Sequence, residues 1–398
     1  MELREKIKKY SEEFLPEIIS VRRHLHSHPE LSFSENETSA FILGKLKSYG
    51  IPCTGGIAGT GIVAIVEGKN PSGNTVALRG DMDALPIQEI VGREYGSLNP
   101  GVMHACGHDA HSASLLGAAK VLNETRSEWE GTVKFIFQPG EEKLPGGASL
   151  MIKEGALENP RPASIFGQHV THLFPAGKVG FRKGLYMAST DELYVTVQGK
   201  GGHAAIPAGY INPLLIASEI IIALNSVFMD PETKNIPDKP TVLAFGKITG
   251  NGATNVIPDQ VKLEGTFRTM DEEWRSEAHE RMIQIARSKA QFLGGDCDFK
   301  IVKGYPFLIN DPDLTDRSRK RAEEYLGKEN VIDLDLWMAS EDFAYYSQVM
   351  PACFYRLGIR NDVRGITSPV HTGTFDIDEQ ALLTGMGLMA WLAVSELG

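Results

Sequence analysis

Residues 75–83, Thr-Val-Ala-Leu-Arg-Gly-Asp-Met-Asp, join an apolar strand to two carboxylates. The pattern recurs at 131–142, where an apolar run precedes Gln-Pro-Gly-Glu-Glu, and at 164–169, where Ser164–Gln168 precedes His169. In open α/β sheets the ligand crevice lies at the carboxyl ends of the strands. These strands, each ending in polar residues, therefore predict an α/β fold with a functional site at that edge of the sheet.

The stretch Val102–His111 follows the first of these strands and contains Cys106 and His108, separated by one glycine. The glycine lets the backbone bend so that both side chains face one point. A thiolate and an imidazole are good ligands for a borderline-soft divalent metal. A lone cysteine is more often a core residue, but here imidazoles and carboxylates recur at the other strand ends. We predict a helix that begins near His111, with its amino end at the site.

The polar candidates at this edge exceed the three or four protein ligands that one metal ion needs. They are Asp81, Asp83, Cys106, His108, Glu141, Glu142, His169 and His371. The surplus predicts a site for two metal ions. Adjacent residues after a strand point in different directions. One carboxylate of the Glu141–Glu142 pair can therefore bind metal while the other acts as a general base.

Length and composition narrow the choice of fold and partner. A chain of 398 residues suggests two domains. A net charge of −11 argues against nucleic acid or an anionic membrane as partner. The four cysteines are far apart, the N-terminus has no apolar signal core, and no apolar run approaches a membrane span. These features predict a cytoplasmic protein.

The glycines at 59 and 61, with Ala64, match a dinucleotide fingerprint. The fingerprint should follow a strand and open a helix, whereas here it leads into the apolar strand Ile62–Val66. We therefore interpret it as a turn and reject a nicotinamide cofactor.

The N-terminal region is predicted to be helical. Residues 2–27 form an amphipathic pattern that stops at Pro29. We interpret His24, His26 and His28 as a solvated helix end, because neighbours two residues apart on a helix diverge. Ser34–Glu37 reads as a capping box that opens a second helix.

The character of the chain changes near residue 186. The following elements have the order β-α-β-β-α-β, which is that of the ferredoxin-like unit. We predict an inserted domain at 186–300 and a catalytic α/β domain formed by 1–185 plus 301–398.

The chain resembles the M20 metallopeptidase family, in the amidohydrolase branch that includes aminoacylases, hippurate hydrolases, auxin-conjugate hydrolases and N-acetyl-diaminopimelate deacetylases. The matching stretches run in family order along nearly the whole chain. They are RGDMDALP at 79–86, HACGHD at 104–109, QPGEE at 138–142, GGHAAIP at 201–207, NVIP at 255–258, SEDF at 340–343 and the region of His371.

The resemblance implies two divalent ions per subunit, Zn²⁺ or Mn²⁺, and Glu141 as the base. The implied metal ligands are Cys106, His108, Glu142, His169 and His371. Asp83 would be a carboxylate behind the site. An additional histidine, His172, leaves open which imidazole of this segment binds metal.

The resemblance also implies an α/β/α metallopeptidase-like catalytic domain with an inserted ferredoxin-like lid and dimerisation domain, and hence a homodimer. His203, on the inserted domain, would stabilise the oxyanion, and in related proteins it reaches the partner subunit's site. Asn255 and Arg268 would hold the substrate carboxylate, with Arg268 on a strand that we place at a sheet edge.

The favoured function is a metal-dependent amidohydrolase that releases a free amino acid and a carboxylic acid from a small-molecule N-acyl amino acid. One alternative is an exopeptidase or dipeptidase on the same scaffold. Another is a non-catalytic metal-binding protein, which would not need a free base such as Glu141.

Overall fold

The computed structural model describes residues 1–90, 92–229 and 239–398. The chain forms two compact units. The first comprises Met1–Tyr186, Ile309–Asp335 and Asp342–Gly398, and the second comprises Met187–Leu308 and Leu336–Glu341. The domain boundary that we predicted between 300 and 301 falls inside a strand, Asp296–Lys303.

The elements are numbered in chain order. The helices are α1 (Leu3–Ser27), α2 (Asn36–Ser48), α3 (His108–Glu124), α4 (Gly147–Lys153), α5 (Pro213–Phe228), α6 (Glu272–Phe292), α7 (Pro312–Leu326), α8 (Ala344–Ser347) and α9 (Ala381–Leu397). The strands are β1 (Cys53–Ile57), β2 (Gly61–Glu67), β3 (Thr75–Asp81), β4 (Thr132–Gln138), β5 (Ser164–Pro175), β6 (Val179–Phe181), β7 (Gly184–Met187), β8 (Asp191–Gln198), β9 (Gly202–His203), β10 (Thr241–Thr249), β11 (Val256–Ile257), β12 (Gln260–Thr269), β13 (Asp296–Lys303), β14 (Leu308–Asn310), β15 (Val331–Asp333) and β16 (Ala352–Arg360).

The first unit contains an eight-stranded sheet with the order β1-β2-β4-β3-β5-β16-β6-β15. The central strands β4, β3, β5 and β16 are parallel to their neighbours in this run. All residues of β3 and β4 are buried, as expected for parallel strands that are covered on both faces. The predicted α/β class is confirmed. The three strands that end in polar residues are neighbours, so their carboxyl ends meet at one edge.

Helices α1, α3 and α9 pack against one another, and α3 and α9 also contact β3. Helix α1 is continuous through Pro16, and the predicted turn at 59–61 leads into β2. Helix α3 begins at His108 rather than near His111. The predicted capping box is wrong, because the residue before α2 is Glu35, whose side chain forms no cap hydrogen bond. The amides of Glu37 and Thr38 donate instead to the Glu30 carboxylate at 3.2 and 2.8 Å.

The second unit has a four-stranded sheet with the order β10-β12-β8-β13, and its neighbouring strands are antiparallel. Strand β8 alternates between buried and exposed residues, because one face of the sheet packs against α5 and α6 and the other is not covered by a helix of the described residues. With α5 and α6, these strands have the predicted ferredoxin-like order. Asp191 pairs with Lys303 across β8 and β13, so the chain enters and leaves this sheet on adjacent strands.

None of the helices in the described part of the chain is both long enough and apolar enough to cross a bilayer.

Two helical glycines differ in their surroundings and predict opposite effects of the same substitution. A Cβ at Gly44 in α2 would meet no atom of the described residues within 4 Å, whereas one at Gly117 in α3 would lie 2.8 Å from Met386 Sδ and 3.2 Å from Ile18 Cγ1. Gly44→Ala should raise the free energy of unfolding by ~0.5–1 kcal/mol through helix propensity. Gly117→Ala should lower it by ~1–3 kcal/mol through overpacking. Guanidinium unfolding measures both, and changes of the same sign would contradict the close packing of α3 on α9.

Candidate metal centre

Cys106 and His108 lie at the amino end of α3, with Gly107 between them. Gly107 has φ +86°, and a Cβ there would lie 2.5 Å from Val170 Cγ2. Only glycine accepts this left-handed conformation together with such a close approach. The glycine therefore allows both side chains to face the carboxyl edge of the sheet, as the sequence predicted.

Cys106, His108 and His169 form one group of buried donor atoms, all within 4.8 Å of one another. Cys106 Sγ lies 3.3 Å from His169 Nε2. His169 lies within β5, which extends past the predicted end of this strand. No donor group in the described residues includes His172, so the geometry favours His169 as the imidazole of this segment.

The imidazoles of His108 and His169 are both held through their Nδ1 atoms. His169 Nδ1 donates to the carbonyl of Val170 at 2.8 Å, and His108 Nδ1 lies 3.1 Å from Asp83 Oδ1. Such partners fix the tautomer and direct Nε2 towards a metal. Burial and the Arg356 guanidinium hold the pKa of His169 well below its usual value, so its ring is neutral.

Cys106 also belongs to a second donor group, with Glu142 and His371. His371 Nε2 lies 3.3 Å from Cys106 Sγ and 3.2 Å from Glu142 Oε1. The backbone at His371 is held in place by its own amide, which donates to the Ala105 carbonyl at 2.7 Å. The His371 side chain is 52% exposed. This histidine therefore closes the group from the solvent side.

The charges of these groups fit a bound cation. Burial, followed by the Glu142 and Glu141 carboxylates, raises the pKa of the Cys106 thiol well above its usual value. A divalent cation would reverse that effect, because a coordinated thiol is deprotonated. His108 Nε2 is buried and has no hydrogen-bond partner among the described residues. A thiolate, imidazoles and carboxylates form a donor set suited to zinc-like divalent ions.

Asp83 supports this centre from behind. Besides meeting His108, its Oδ2 accepts the Glu142 amide at 3.0 Å. Burial alone would lower the pKa of His108, but Asp81, Asp83 and Glu142 raise it to about 10. The carboxylate of Asp83 thus positions a histidine and a glutamate of the two donor groups.

Glu141 is buried beside these groups. Its Oε1 accepts the Asp342 amide at 3.3 Å, and its Oε2 lies 4.0 Å from His108 Nε2. The Asp342 carboxylate is held by the Arg79 guanidinium at 2.9 Å and by the Gln138 amide nitrogen at 2.8 Å. The sequence indicates Asp342 only as part of the SEDF motif at 340–343, and it does not predict the contact with Glu141.

Asp81, one of the eight candidates from the sequence, forms a second support together with His111, to which the sequence assigned no role. Asp81 lies 2.7 Å from Arg79 Nη1 and 2.6 Å from His111 Nδ1. His111 Nε2 accepts the Val170 amide at 2.9 Å. Both nitrogens of this ring are therefore occupied. His108 and His111 are three residues apart on a helix and therefore lie on one face. This spacing could have indicated that His111 also faces the metal centre.

The interpretation of His26 as part of a solvated helix end is wrong. Its ring is fully buried, and its Nδ1 lies 2.7 Å from Asp109 Oδ2. The buried Arg22 guanidinium donates to the same oxygen at 2.8 Å. Asp109 follows His108 directly, so α1 is joined to the start of α3 by a buried ionic cluster. His24 and His28 are exposed, as predicted.

The remaining predicted site residues belong to the second unit. His203 pairs with Val256 across β9 and β11, and the Ala204 amide donates to the Asn255 carbonyl at 3.1 Å. The fold of this unit therefore brings His203 and Asn255 together. His203 is exposed, and its Nδ1 accepts the Ala205 amide at 3.1 Å. In the neutral ring the proton is then on Nε2, where it can be donated.

The placement of Arg268 on an edge strand is wrong, because β12 lies between β10 and β8. Its guanidinium donates to the Met338 carbonyl at 3.1 Å and lies 3.5 Å from Ser340 Oγ. Burial lowers the pKa of Arg268 from its usual value. Among the described residues, Arg268 forms no ion pair.

The chain matches known proteins over nearly its whole length. N-acetyl-L-cysteine deacetylase of Bacillus subtilis is 38% identical over 368 residues, which cover 92% of this chain and 85% of that protein. Thermostable carboxypeptidase 2 of Saccharolobus solfataricus is 36% identical over 397 residues, or 99% of each chain. The crystal structure of Bacillus subtilis YXEP, described as a dinuclear metal binding peptidase, superposes with a TM-score of 0.82 at 34% identity and covers 97% of this chain and 99% of that one.

The model of peptidase family M20/M25/M40 matches residues 77–394, a range that contains every metal-donor residue described above. With the similarity of the fold and of the full-length relatives, this match identifies the chain as a member of the M20 family of metal-dependent hydrolases.

Proposed function

We propose that this protein hydrolyses the amide bond of N-acyl amino acids with the help of two divalent ions. The observation that carries the proposal is the pair of donor groups that share Cys106. Next to them lies a buried carboxylate, Glu141, which belongs to neither of these two groups but has an oxygen within 4.8 Å of donor atoms of His108 and Glu142. One group would hold one ion through His108 and His169, and the other would hold the second ion through Glu142 and His371.

When bound, two such ions supply Lewis acidity, which makes water nucleophilic near neutral pH and polarises the amide carbonyl. Zn²⁺ suits the thiolate and imidazole ligands, and Mn²⁺ remains the other candidate from the family resemblance. The protein's contribution is to hold the ligands in fixed orientations and to provide a group that moves protons.

Glu141 is the proposed general base. The Asp342 amide holds one oxygen, and the other faces the donor groups. From this position the carboxylate can accept a proton from the attacking water and pass it to the leaving nitrogen. The products are a carboxylic acid and a free amino acid.

The second unit is proposed to contribute substrate contacts. The Nε2–H of His203 is available to stabilise the developing oxyanion. A half-buried arginine without an ion-pair partner in the described residues is suited to a substrate carboxylate. We therefore propose that Arg268, with Asn255, binds the carboxylate of the amino-acid part.

We also propose that the protein is a homodimer formed through the second unit. Leu215 and Ile222 on α5 are 56% and 63% exposed, and β10 is an edge strand of its sheet. Exposed apolar side chains beside a strand edge that is unpaired among the described residues suit a second copy of the same surface. The four free cysteines fit a reducing compartment, and we place the enzyme in the cytoplasm.

The competing function is hydrolysis of peptides, since two full-length relatives are named carboxypeptidases. Protein stripped by a chelator and reloaded with Zn²⁺ or Mn²⁺ is expected to cleave N-acetyl amino acids faster than dipeptides. In the same assay Glu141→Gln should keep its metal and lose ~10²–10⁴-fold in kcat, because the general base is removed.

A preference for dipeptides would favour the exopeptidase. Metal binding without hydrolysis of either class would favour a non-catalytic protein. Near-wild-type kcat in the purified Glu141→Gln variant would overturn the role of Glu141.

Cys106→Ala is expected to lose metal and activity together, since a thiolate shared by both donor groups disappears. A thiol oxidant should inactivate the wild type for the same reason. Cys53→Ala is the matched control, because Cys53 belongs to no donor group in the described residues. Elemental analysis that finds two ions in Cys106→Ala would show that this thiol is not a ligand.

His203→Ala should keep both ions and lose ~10²–10³ in kcat, the typical effect of removing one oxyanion donor. Mixing this variant with Glu141→Gln then tests whether His203 serves the partner subunit. If it does, exchanged heterodimers contain one intact site and activity returns. Subunits that demonstrably exchange without recovery of activity would show that His203 acts within its own chain.

A further inference from the structure

The loop between α1 and α2 lies directly behind the metal centre, although no residue of this loop belongs to a donor group in the described residues. Ser32 Oγ donates to Asp83 Oδ2 at 2.7 Å. Asp83 in turn meets His108 Nδ1 and the Glu142 amide. The loop therefore contacts the carboxylate that orients two of the donor residues.

Glu35 gives the same loop a second attachment. Its carboxylate is fully buried, and Oε1 accepts the Gly140 amide at 2.8 Å and the Phe33 amide at 2.9 Å. Oε2 accepts the Thr60 hydroxyl at 2.7 Å. Gly140 directly precedes the Glu141–Glu142 pair, so Glu35 holds the start of the turn that presents both carboxylates.

The backbone of the loop is strained where it meets this turn. Phe33 has φ +65°, a conformation that costs a non-glycine residue free energy and persists only when its surroundings enforce it. Its ring packs on the bare α-carbon of Gly140, where a Cβ would lie 2.4 Å from the ring atoms. The bond from the Phe33 amide to Glu35 stabilises this conformation. A side chain larger than that of glycine at position 140 would therefore clash with the Phe33 ring.

We propose that Glu35 is a positioning residue for the metal centre, which acts by fixing the turn Gly140–Glu142. This inference rests on the proposed function, in which Glu142 binds metal and Glu141 moves the proton. A carboxylate that only stabilised the loop would affect folding and leave metal affinity unchanged. A positioning residue affects metal affinity and kcat in a folded protein.

The chain offers variants that separate these roles. Glu35→Ala removes the acceptor of the Gly140 amide. Glu35→Gln keeps an oxygen for that amide and for Phe33, while its nitrogen can donate to Thr60. Thr60→Val removes only the hydrogen bond from the Thr60 hydroxyl to Glu35 Oε2. Thr60 itself lies outside the metal centre. Glu35→Asp withdraws the carboxylate by one methylene group and provides a milder version if the alanine variant does not fold.

Metal affinity is measured on chelator-stripped protein by competition of Zn²⁺ with a chromophoric chelator, and no substrate is needed. Glu35→Ala should weaken Zn²⁺ binding by ~10–100-fold and lower kcat at saturating metal by a similar factor, as found for residues behind metal ligands. The KM should change by no more than about threefold, because the substrate contacts are intact. Glu35→Gln should restore both quantities, and Thr60→Val should lower thermal stability without changing metal affinity.

Wild-type metal affinity in folded Glu35→Ala, or in folded Glu35→Asp if the alanine variant fails to fold, would overturn the proposal. So would equal losses of metal affinity in Thr60→Val and Glu35→Ala. Failure of the proposed function looks different. In that case the wild type binds Zn²⁺ and hydrolyses neither class of substrate, and the affinity ratio between the variants still tests Glu35. A wild type that binds no Zn²⁺ would overturn both the proposed function and the role of Glu35.

Discussion

The metal centre depends on the hydrogen bonds that the buried guanidinium of Arg79 makes to its three neighbours. Arg79 lies on β3 with no solvent exposure and bonds to Asp81 at the end of its own strand, to Gln138 at the end of β4, and to Asp342. Buried charges need partners, and removing one partner from such a set costs several kcal/mol. Arg79 therefore ties two neighbouring strand ends together at the point where the functional side chains emerge.

Two consequences follow from this tie. Asp81 remains ionised, because His108, Arg79 and His111 hold its pKa well below the usual value although burial opposes this. The Asp342 carboxylate is bound by Arg79 and Gln138, and the backbone amide of the same residue donates to Glu141. The sheet edge thus has an outer layer of donor atoms and an inner layer of paired charges. The hydrogen bonds of the inner layer fix the positions of the donor residues in the outer layer.

Much of this arrangement could be predicted from the chain alone. Buried parallel strands read as continuous apolar runs, and their polar ends gave the edge of the sheet and the eight candidate side chains. The inner layer could not be predicted in this way. Arg22 and His26 meet Asp109 across more than eighty residues, and Asp342 meets Gln138 across about two hundred. Local periodicity holds no information about such pairs, and a histidine that is buried by tertiary packing looks the same as an exposed one.

The pairing of β8 with β13 bears on how the inserted segment of the chain can vary in evolution. Asp191 and Lys303 are partners in register, and Arg275 donates to the carbonyls of both Thr190 and Gly304. The two ends of the insertion are thus joined within the insertion itself. A segment closed in this way can be lengthened, shortened or exchanged while its points of departure stay together, as is typical of tolerated domain insertions. Residues of the second unit, including those proposed to contact the substrate, can therefore vary while the fold of the first unit is retained.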